Sequence, residues 1–335
     1  MIKPDCHITI GRYTFSYSVG VDIVTSVDSL TDTCTITIPR KLQWQGRQVA
    51  LGDDPILARG DRVMVQLGYD GLLSTEFVGF VRDIETGTPV KLHCDDSMYL
   101  LKKGSLTLSY SKVSLRKLLT DIMPAGIEWA VPEGNKEINL GGFRITKASP
   151  AKILEELKST YGLYSYFRLI TTSGVTRPVL YAGLAYWTDR QTVLFKMGDP
   201  DRPDIGDVNV INFDGLQYRK SEDLKLKVKA ISMRSDNSKT EVEVGDDDGE
   251  QRTVYMYNAT KAELQVFADQ QLEKLKYTGY RGSFTAFGKP AVQKSDVVSI
   301  TGNKYNPSGD YLVKGVTKKF GTSGYRQTIE IELAV

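Results

Sequence analysis

Cysteine, histidine and long apolar runs are scarce in this sequence. Its 335 residues include three cysteines (Cys6, Cys34 and Cys94) and two histidines. Three unclustered cysteines do not suit a disulfide framework, so we interpret them as reduced thiols of a protein made in the cytosol. No apolar run approaches the roughly 20 residues of a membrane-spanning helix. The N-terminus also lacks the basic and apolar regions of a signal peptide. We therefore expect no membrane span.

The sequence also has almost no net charge. There are 43 Lys and Arg residues against 41 Asp and Glu, for a formal net charge of +2. Nucleic-acid-binding proteins usually carry a basic excess, because their affinity comes from neutralising phosphates. We therefore expect no sequence-specific nucleic-acid binding. The hydrophobic fraction of 41% is typical of soluble globular proteins, and the length predicts two or three packed units.

In the first hundred residues, apolar and polar residues alternate with a period of two in many short segments. Ile8 and Ile10 share one strand face, for example, while His7 and Thr9 share the other. Many short alternating segments separated by turns predict an antiparallel barrel or sandwich.

Helical periodicity begins after residue 104. The pattern predicts a helix from Ser114 to Pro124, a second helix from Ser149-Pro150 to Gly162, and a strand at 163–167. Ser is a good N-cap, Pro suits the first helical position, and Gly suits the C-terminal cap. We therefore assign residues 104–205 to a mixed α/β middle unit, which ends in an Asp- and Pro-rich loop at 198–204.

The remaining residues return to strands around one helix. Thr260 and Glu263 form a capping box for a helix that we expect to stop near Gly279. Before it, apolar residues from Leu224 to Ala230 alternate with Lys225, Lys227 and Lys229, which gives one strongly basic strand face. The ordinary interpretation of these lysines is a solvated face or a guarded edge strand. The functional interpretation is a wall that faces a channel or an acidic partner.

Candidate metal and catalytic sites are weak. The acidic run Asp246, Asp247 and Asp248 could attract Ca²⁺, but it lacks the spacing of a calcium loop and suits a solvated turn. The dipeptides Cys6-His7 and His93-Cys94 offer one metal ligand each to a given strand face. A phosphate-loop-like stretch at 282–289 has the wrong glycine spacing. We therefore expect no catalytic, cofactor-binding or metal-binding residues, no cofactor and no enzymatic activity.

The order of short segments in the C-terminal region is more informative. It contains Tyr277-Thr278-Gly279-Tyr280-Arg281-Gly282, Pro290, Ser295-Asp296-Val297-Val298, Gly309-Asp310-Tyr311-Leu312-Val313 and Gly315-Val316-Thr317-Lys318-Lys319-Phe320. Earlier come Leu30-Thr31-Asp32-Thr33-Cys34-Thr35-Ile36-Thr37-Ile38-Pro39 and Tyr164-Ser165-Tyr166-Phe167. Together these segments resemble the late-control D family of phage tail proteins. That family includes the baseplate hub of contractile-tailed phages and the hub part of type VI secretion spikes.

The sequence departs from the family pattern at two places. The frequent Pro-Gly-Asp is Lys294-Ser295-Asp296 here, and a common His is replaced by Lys318.

The resemblance implies a mainly β fold with an α+β insertion. Residues 1–103 would form a first tube-like antiparallel β-barrel, completed by strands within 206–236. Residues 206–335 would supply a helix and a second tube-like barrel. The chain would form a homotrimeric ring of pseudo-sixfold symmetry between the tail tube and a separate spike protein, with the tape-measure protein as a further partner. It would be assembled in the bacterial cytoplasm and reside in the tail or baseplate. Lys225, Lys227, Lys229 and Asp246 to Asp248 would face the lumen or a partner.

Two other functions compete with a structural hub. A β-barrel module could bind a cell-wall oligosaccharide, in which case Trp44, Trp129 and Trp187 are the aromatic residues to inspect. A tail-associated cell-wall hydrolase would need a cleft with a carboxyl group of raised pKa.

Overall fold

The structure is a computed structural model of the chain. It describes residues 3–44, 47–50, 57–131, 138–187, 189–199, 201, 208–234 and 236–335, and of 41–44 and 47–50 it describes the backbone alone. The first β region contains β1 (Pro4–Ile10), β2 (Tyr13–Phe15), β3 (Gly20–Ser26), β4 (Thr33–Ile38), β5 (Lys41–Trp44), β6 (Arg47–Ala50), β7 (Arg62–Tyr69), β8 (Leu72–Glu85) and β9 (Val90–Asp96).

The middle of the chain combines helices and strands. It contains α1 (Met98–Leu101), β10 (Leu106–Tyr110), α2 (Leu115–Ile122), β11 (Glu128–Ala130), β12 (Phe143–Ala148), α3 (Pro150–Tyr161), β13 (Tyr164–Thr172), β14 (Val175–Gly183) and β15 (Thr192–Lys196). The last part contains β16 (Val210–Asn212), β17 (Leu216–Arg219), β18 (Leu226–Met233), β19 (Lys239–Gly245), β20 (Glu250–Tyr257), α4 (Lys261–Leu275), β21 (Gly279–Phe287), β22 (Val297–Thr301), β23 (Gly309–Gly321) and β24 (Gly324–Ala334).

The three helices predicted from capping residues are confirmed. The hydroxyl of Ser114 accepts a hydrogen bond from the Lys117 N–H, and that of Ser149 accepts one from the Lys152 N–H, both at 3.3 Å. Gly162 ends α3 in the left-handed conformation with φ of 65°, which a residue without a Cβ adopts without strain. Among the described helices, none has the length and apolar composition needed to cross a membrane.

One 14-stranded sheet contains most of the first and last β regions. Its main path is β16-β21-β24-β23-β3-β4-β9-β8-β7-β1-β2, with β15, β17 and β22 attached beside it. The two β regions meet where β3 pairs antiparallel with β23, through seven residue pairs from Gly20 to Ser26. The expectation of a mainly β fold with an α+β insertion is confirmed.

Alternation along the strands places apolar side chains in two cores. Ile8, Val63 and Leu92 belong to the core of the first β region. Phe284, Val313 and Ile329 belong to the core of the last one. The opposite side of the same strands carries mostly polar residues. The division of the chain into three units, and the closure of each β region into a barrel, stay predictions.

The middle unit has its own core, to which a second sheet contributes. Leu118 of α2, Leu154 of α3 and Phe167 of β13 pack there together with Ile231 of β18 and Tyr257 of β20. The three-stranded sheet β19-β18-β20 thus lies between this core and α4.

Among the described residues, the strands within 206–236 do not pair with the first β region, contrary to our expectation. β16 and β17 pair with β21, and β18 pairs with β19 and β20. The physical reason is visible in β18, where Val228 and Ala230 bury their side chains against Leu264 and Ala268 of α4. The predicted boundary at 205 and 206 lies outside the described residues.

Candidate functional site

Rows of paired residues cross the outer side of the large sheet, on the side away from the two cores. One row runs through Thr285, Thr328, Thr317, Val24 and Thr33, each directly paired with the next across five strands. Because direct partners in antiparallel strands share a face, these five side chains lie on one side of the sheet. The row crosses the joint between β3 and β23 without interruption.

A second row lies two residues further along the same strands. It runs through Phe287, Arg326, Lys319, Asp22 and Thr35. The two rows define what we call the polar face. The first row consists of four threonines and the exposed Val24, and the second row ends in the exposed Phe287. The charges of the second row have both signs, on Arg326, Lys319 and Asp22, so the face carries no strong field of one sign.

Behind the joint, an ion pair is buried on the inward side of β23. The Lys318 ammonium pairs with the Glu76 carboxylate of β8, and these side chains are 4% and 3% exposed. The Lys289 Nζ approaches the same carboxylate at 3.4 Å. Removing charges from water is costly unless they are paired, so this contact requires the two β regions to stay together.

A second buried pair joins the same regions. The Nζ of Lys294 lies 2.6 Å from Oδ1 of Asp32. Asp96 lies beside Asp32 and accepts hydrogen bonds from the N–H groups of Asp32, at 3.1 Å, and Met98, at 2.9 Å. Burial, and then the negative charge of Asp32, raise the pKa of Asp96 to about 8. Burial and the neighbouring carboxylate therefore both favour a proton on Asp96 in the folded protein.

A third pair connects the middle unit. Arg168 of β13 donates to Asp296 at 2.6 Å, with side chains 5% and 0% exposed. Gln191 donates to the other oxygen of Asp296 at 3.0 Å. A cavity of about 40 Å³ lies among Arg168, Lys294 and Lys318. Together the three pairs, which we call the buried ion cluster, fasten both β regions and the middle unit to one another.

The lysines singled out in the sequence lie elsewhere, on the sheet β19-β18-β20. Lys227 pairs with Glu243 at 2.9 Å and Lys229 with Glu241 at 2.7 Å, across the β18–β19 ladder. Lys225 pairs with Asp248. The basic strand face is thus half of a cross-strand ladder of opposite charges.

Nearby residues of the same protein also contact the carboxylates of the acidic turn. Asp246 accepts from the Nζ of Lys276 at 2.5 Å and from the Leu226 N–H at 3.0 Å. Asp247 lies at the edge of the Lys227 pair, 3.9 Å from its Nζ. The roles of these six residues toward a lumen or a partner stay predictions.

The metal and aromatic candidates are dispersed. Within the described ranges, no group of three or more His, Cys, Asp or Glu side chains is arranged to hold a metal ion. Trp129 packs against the core of the middle unit, whereas Trp187 packs edge-on against Tyr181. The side chain of Trp44 lies outside the described residues. The described tryptophans therefore form no shared platform.

Sequence reasoning missed the buried ion cluster. A signal was present, since Lys318 falls on the same strand face as Val316 and Phe320. A lysine at an apolar position of a strand can mark a buried charge that needs a distant partner.

Solved structures with this fold include tail and secretion proteins. A tail protein from Neisseria meningitidis aligns over 98% of this chain and 96% of its own, with 12% identity and a TM-score of 0.62. A 43 kDa tail protein of a Shewanella oneidensis prophage aligns over 98% of both chains, with 14% identity and a TM-score of 0.60. A component of the type VI secretion system of E. coli aligns over 98% of this chain and 76% of its own, with 10% identity and a TM-score of 0.58.

At these identities the likeness concerns the fold. No protein-family model matches the sequence. No curated protein is significantly similar to it. The chain has the fold of phage tail proteins, as its resemblance predicted, while the late-control D family itself stays a prediction.

Proposed function

We propose that this chain is a structural hub of a phage tail or of a phage-derived contractile injection system. Three copies would form a ring of pseudo-sixfold symmetry that joins the tail tube to a central spike protein. The observation that carries this proposal is the single sheet, in which two β regions share one uninterrupted polar face. Two such regions in each of three copies supply six similar positions around an axis.

Unpaired strand edges support closure into a ring. Among the described strands, β2 ends the sheet on one side, and β16 and β17 end it on the other. Exposed edges are aggregation hazards unless they are short, charged or covered. Contact of one end with the opposite end of the next copy would be heterologous, and such contacts form a ring when the rotation between copies closes.

The polar face has the chemistry that a channel wall needs. Its hydroxyl groups and mixed charges would hold neither nucleic acid nor an unfolded protein strongly, because no single sign of charge dominates. We therefore propose that the polar face lines the channel, and that the buried ion cluster keeps the wall rigid from behind. The tape-measure protein would be a passing partner, and the ring would be assembled in the bacterial cytoplasm.

The oligomeric state tests this proposal. Light scattering should give a mass near three times 37.3 kDa, either alone or after addition of the spike protein of the same tail. Electron microscopy should then show a ring with a central channel. A gold label on Thr328→Cys should lie at the channel wall, with Glu155→Cys on α3 as the labelling control. A monomer in both conditions, or a Thr328 label on the outer rim, would refute the hub.

A further inference from the structure

A groove runs along the free edge of β20. It has a volume of about 460 Å³ and lies between β20 and α4 on one side and the middle unit and the end of β24 on the other. Four consecutive residues of the strand, Arg252 to Tyr255, line it. At about 3.3 Å per residue, this edge is about 13 Å long.

The backbone of β20 presents unused hydrogen-bonding groups to the groove. The Glu250 N–H donates to Lys225 and the Asn258 N–H donates to Met233, so the even-numbered residues face β18. In a strand, the N–H and C=O groups of alternate residues point to opposite edges. Those of Thr253 and Tyr255 therefore point away from β18. Neither N–H has a hydrogen-bond partner in the part of the chain that the structure describes.

Positive charge dominates the groove walls. Its lining includes four cationic side chains, those of Lys158, Arg219, Arg252 and Arg281, and one carboxylate, Glu332. Arg252 pairs with Glu250 at 2.8 Å and Lys158 with Asp28 at 3.6 Å. Glu332 accepts a hydrogen bond from the Tyr186 hydroxyl at 3.0 Å.

Two of these cations have unused hydrogen-bonding capacity. Arg281 has no ion pair with any described residue. The Nε of Arg219 is buried and has no hydrogen-bond partner within the described ranges. The floor includes apolar groups such as Phe267, Leu275 and Leu333.

We propose that this groove binds an extended, acidic segment of a partner protein, which adds as a strand to the free edge of β20. Strand addition uses main-chain hydrogen bonds for affinity and alternate side chains for specificity. Here the N–H and C=O groups of Thr253 and Tyr255 provide the main-chain bonds. Arg281 selects carboxylates, because guanidinium groups bind them in a bidentate manner. This binding site does not depend on the oligomeric state of the hub.

Three peptides test the main-chain and charge components separately. The probe is a short fluorescein-labelled peptide of alternating Val and Glu, followed by fluorescence anisotropy. A Val and Lys peptide and a backbone N-methylated Val and Glu peptide are the comparisons. We expect each comparison to bind at least about tenfold more weakly, and added salt to weaken the acidic peptide. Equal binding of the N-methylated peptide, or of the basic peptide, overturns the proposal, as does the absence of binding.

Variants of the protein locate the site. Thr253→Pro removes an outward N–H without touching the ladder to β18, and Arg281→Gln removes one cation. Each should weaken the acidic peptide about tenfold, whereas Lys319→Gln on the polar face should not. If Thr253→Pro fails to fold, Arg281→Gln and the N-methylated peptide decide the question. If Thr253→Pro instead lowers the mass of the free protein, the occupant is a second copy of this chain and the proposal is wrong.

Discussion

Lys318 and Glu76 are 242 positions apart in the chain and form an ion pair with both side chains buried. The pair connects β23 of the last β region with β8 of the first. It lies directly behind the strand joint on which the continuous polar face depends. Its contribution to the free energy of unfolding therefore indicates how firmly the two β regions are held together.

Loss of either member of this pair should be strongly destabilising. We expect Glu76→Gln to lower the free energy of unfolding by about 3–5 kcal/mol, because it leaves the buried charge of Lys318 without its partner. Lys318→Met should cost less than Glu76→Gln, because Lys289 remains 3.4 Å from the Glu76 carboxylate. The double variant should lose much less than the sum. Urea denaturation of the four proteins measures this coupling.

An exposed pair in the same chain provides the matched control. Lys229 and Glu241 lie 2.7 Å apart with side chains 25% and 45% exposed. The cycle with Lys229→Met and Glu241→Gln should give a much smaller coupling than the buried pair, because solvent screens an exposed ion pair. Equal couplings for the two pairs would show that the buried position adds nothing.

Two lysines at which the sequence differs from the pattern it resembles lie in the buried ion cluster. Lys294 and Lys318 are both members of the buried ion cluster, paired with Asp32 and Glu76. In this chain the substituted positions therefore carry the ionic contacts between β regions.

Local signals in the sequence were sufficient for the helices but not for the joint. Ser114, Ser149 and Thr260 mark helix starts because a capping side chain bonds to backbone only three residues away. The pairing of β3 with β23 joins segments almost 300 residues apart, and nothing in the alternation of either strand specifies its partner.

The candidate site was harder to predict for the same reason. Lys225, Lys227 and Lys229 attracted attention as a basic stripe, yet the glutamates that neutralise two of them are on the neighbouring strand β19. Burial of Lys318 depends on Glu76, which a linear pattern does not reveal. The sequence shows which positions carry a charge, whereas the partner of each charged side chain is known only from the fold.

The capping box of α4 should have a measurable effect on stability. The Thr260 hydroxyl accepts from the Glu263 N–H at 3.3 Å, and the Glu263 carboxylate accepts from the Thr260 N–H at 2.8 Å. We expect Thr260→Ala to lower the free energy of unfolding by about 1 kcal/mol. Thr260→Ser keeps the hydroxyl and should differ little from the wild type in the same urea titration. Equal losses in both variants would contradict a capping role.

The three thiols should be chemically inert in the folded protein. Burial raises the pKa of Cys6 to about 11 and that of Cys94 to about 12, and it also raises the pKa of Cys34. Because the thiolate is the reactive form, alkylation by iodoacetamide near pH 8 should be slow. In urea all three should react quickly. Mass spectrometry measures the number of alkylated cysteines in each condition. Rapid modification of Cys34 or Cys94 without denaturant would mean that the sheet opens there.

The stability of the protein should depend on pH through Asp96. Its pKa is about 8 in the folded protein and near 3.8 when exposed, so folding takes up a proton between these values. The resulting stabilisation is complete below about pH 4 and is lost as the pH rises through about 8. In Asp96→Asn the amide cannot titrate. Its free energy of unfolding should therefore decline less steeply between pH 5 and 8 than that of the wild type, by up to about 1 kcal/mol per pH unit. Both proteins keep His7 and His93, so the difference between the two urea-denaturation series reports on Asp96 together with the neighbouring Asp32, whose charge acts on it. Parallel series would mean that Asp96 is ionised in the folded protein.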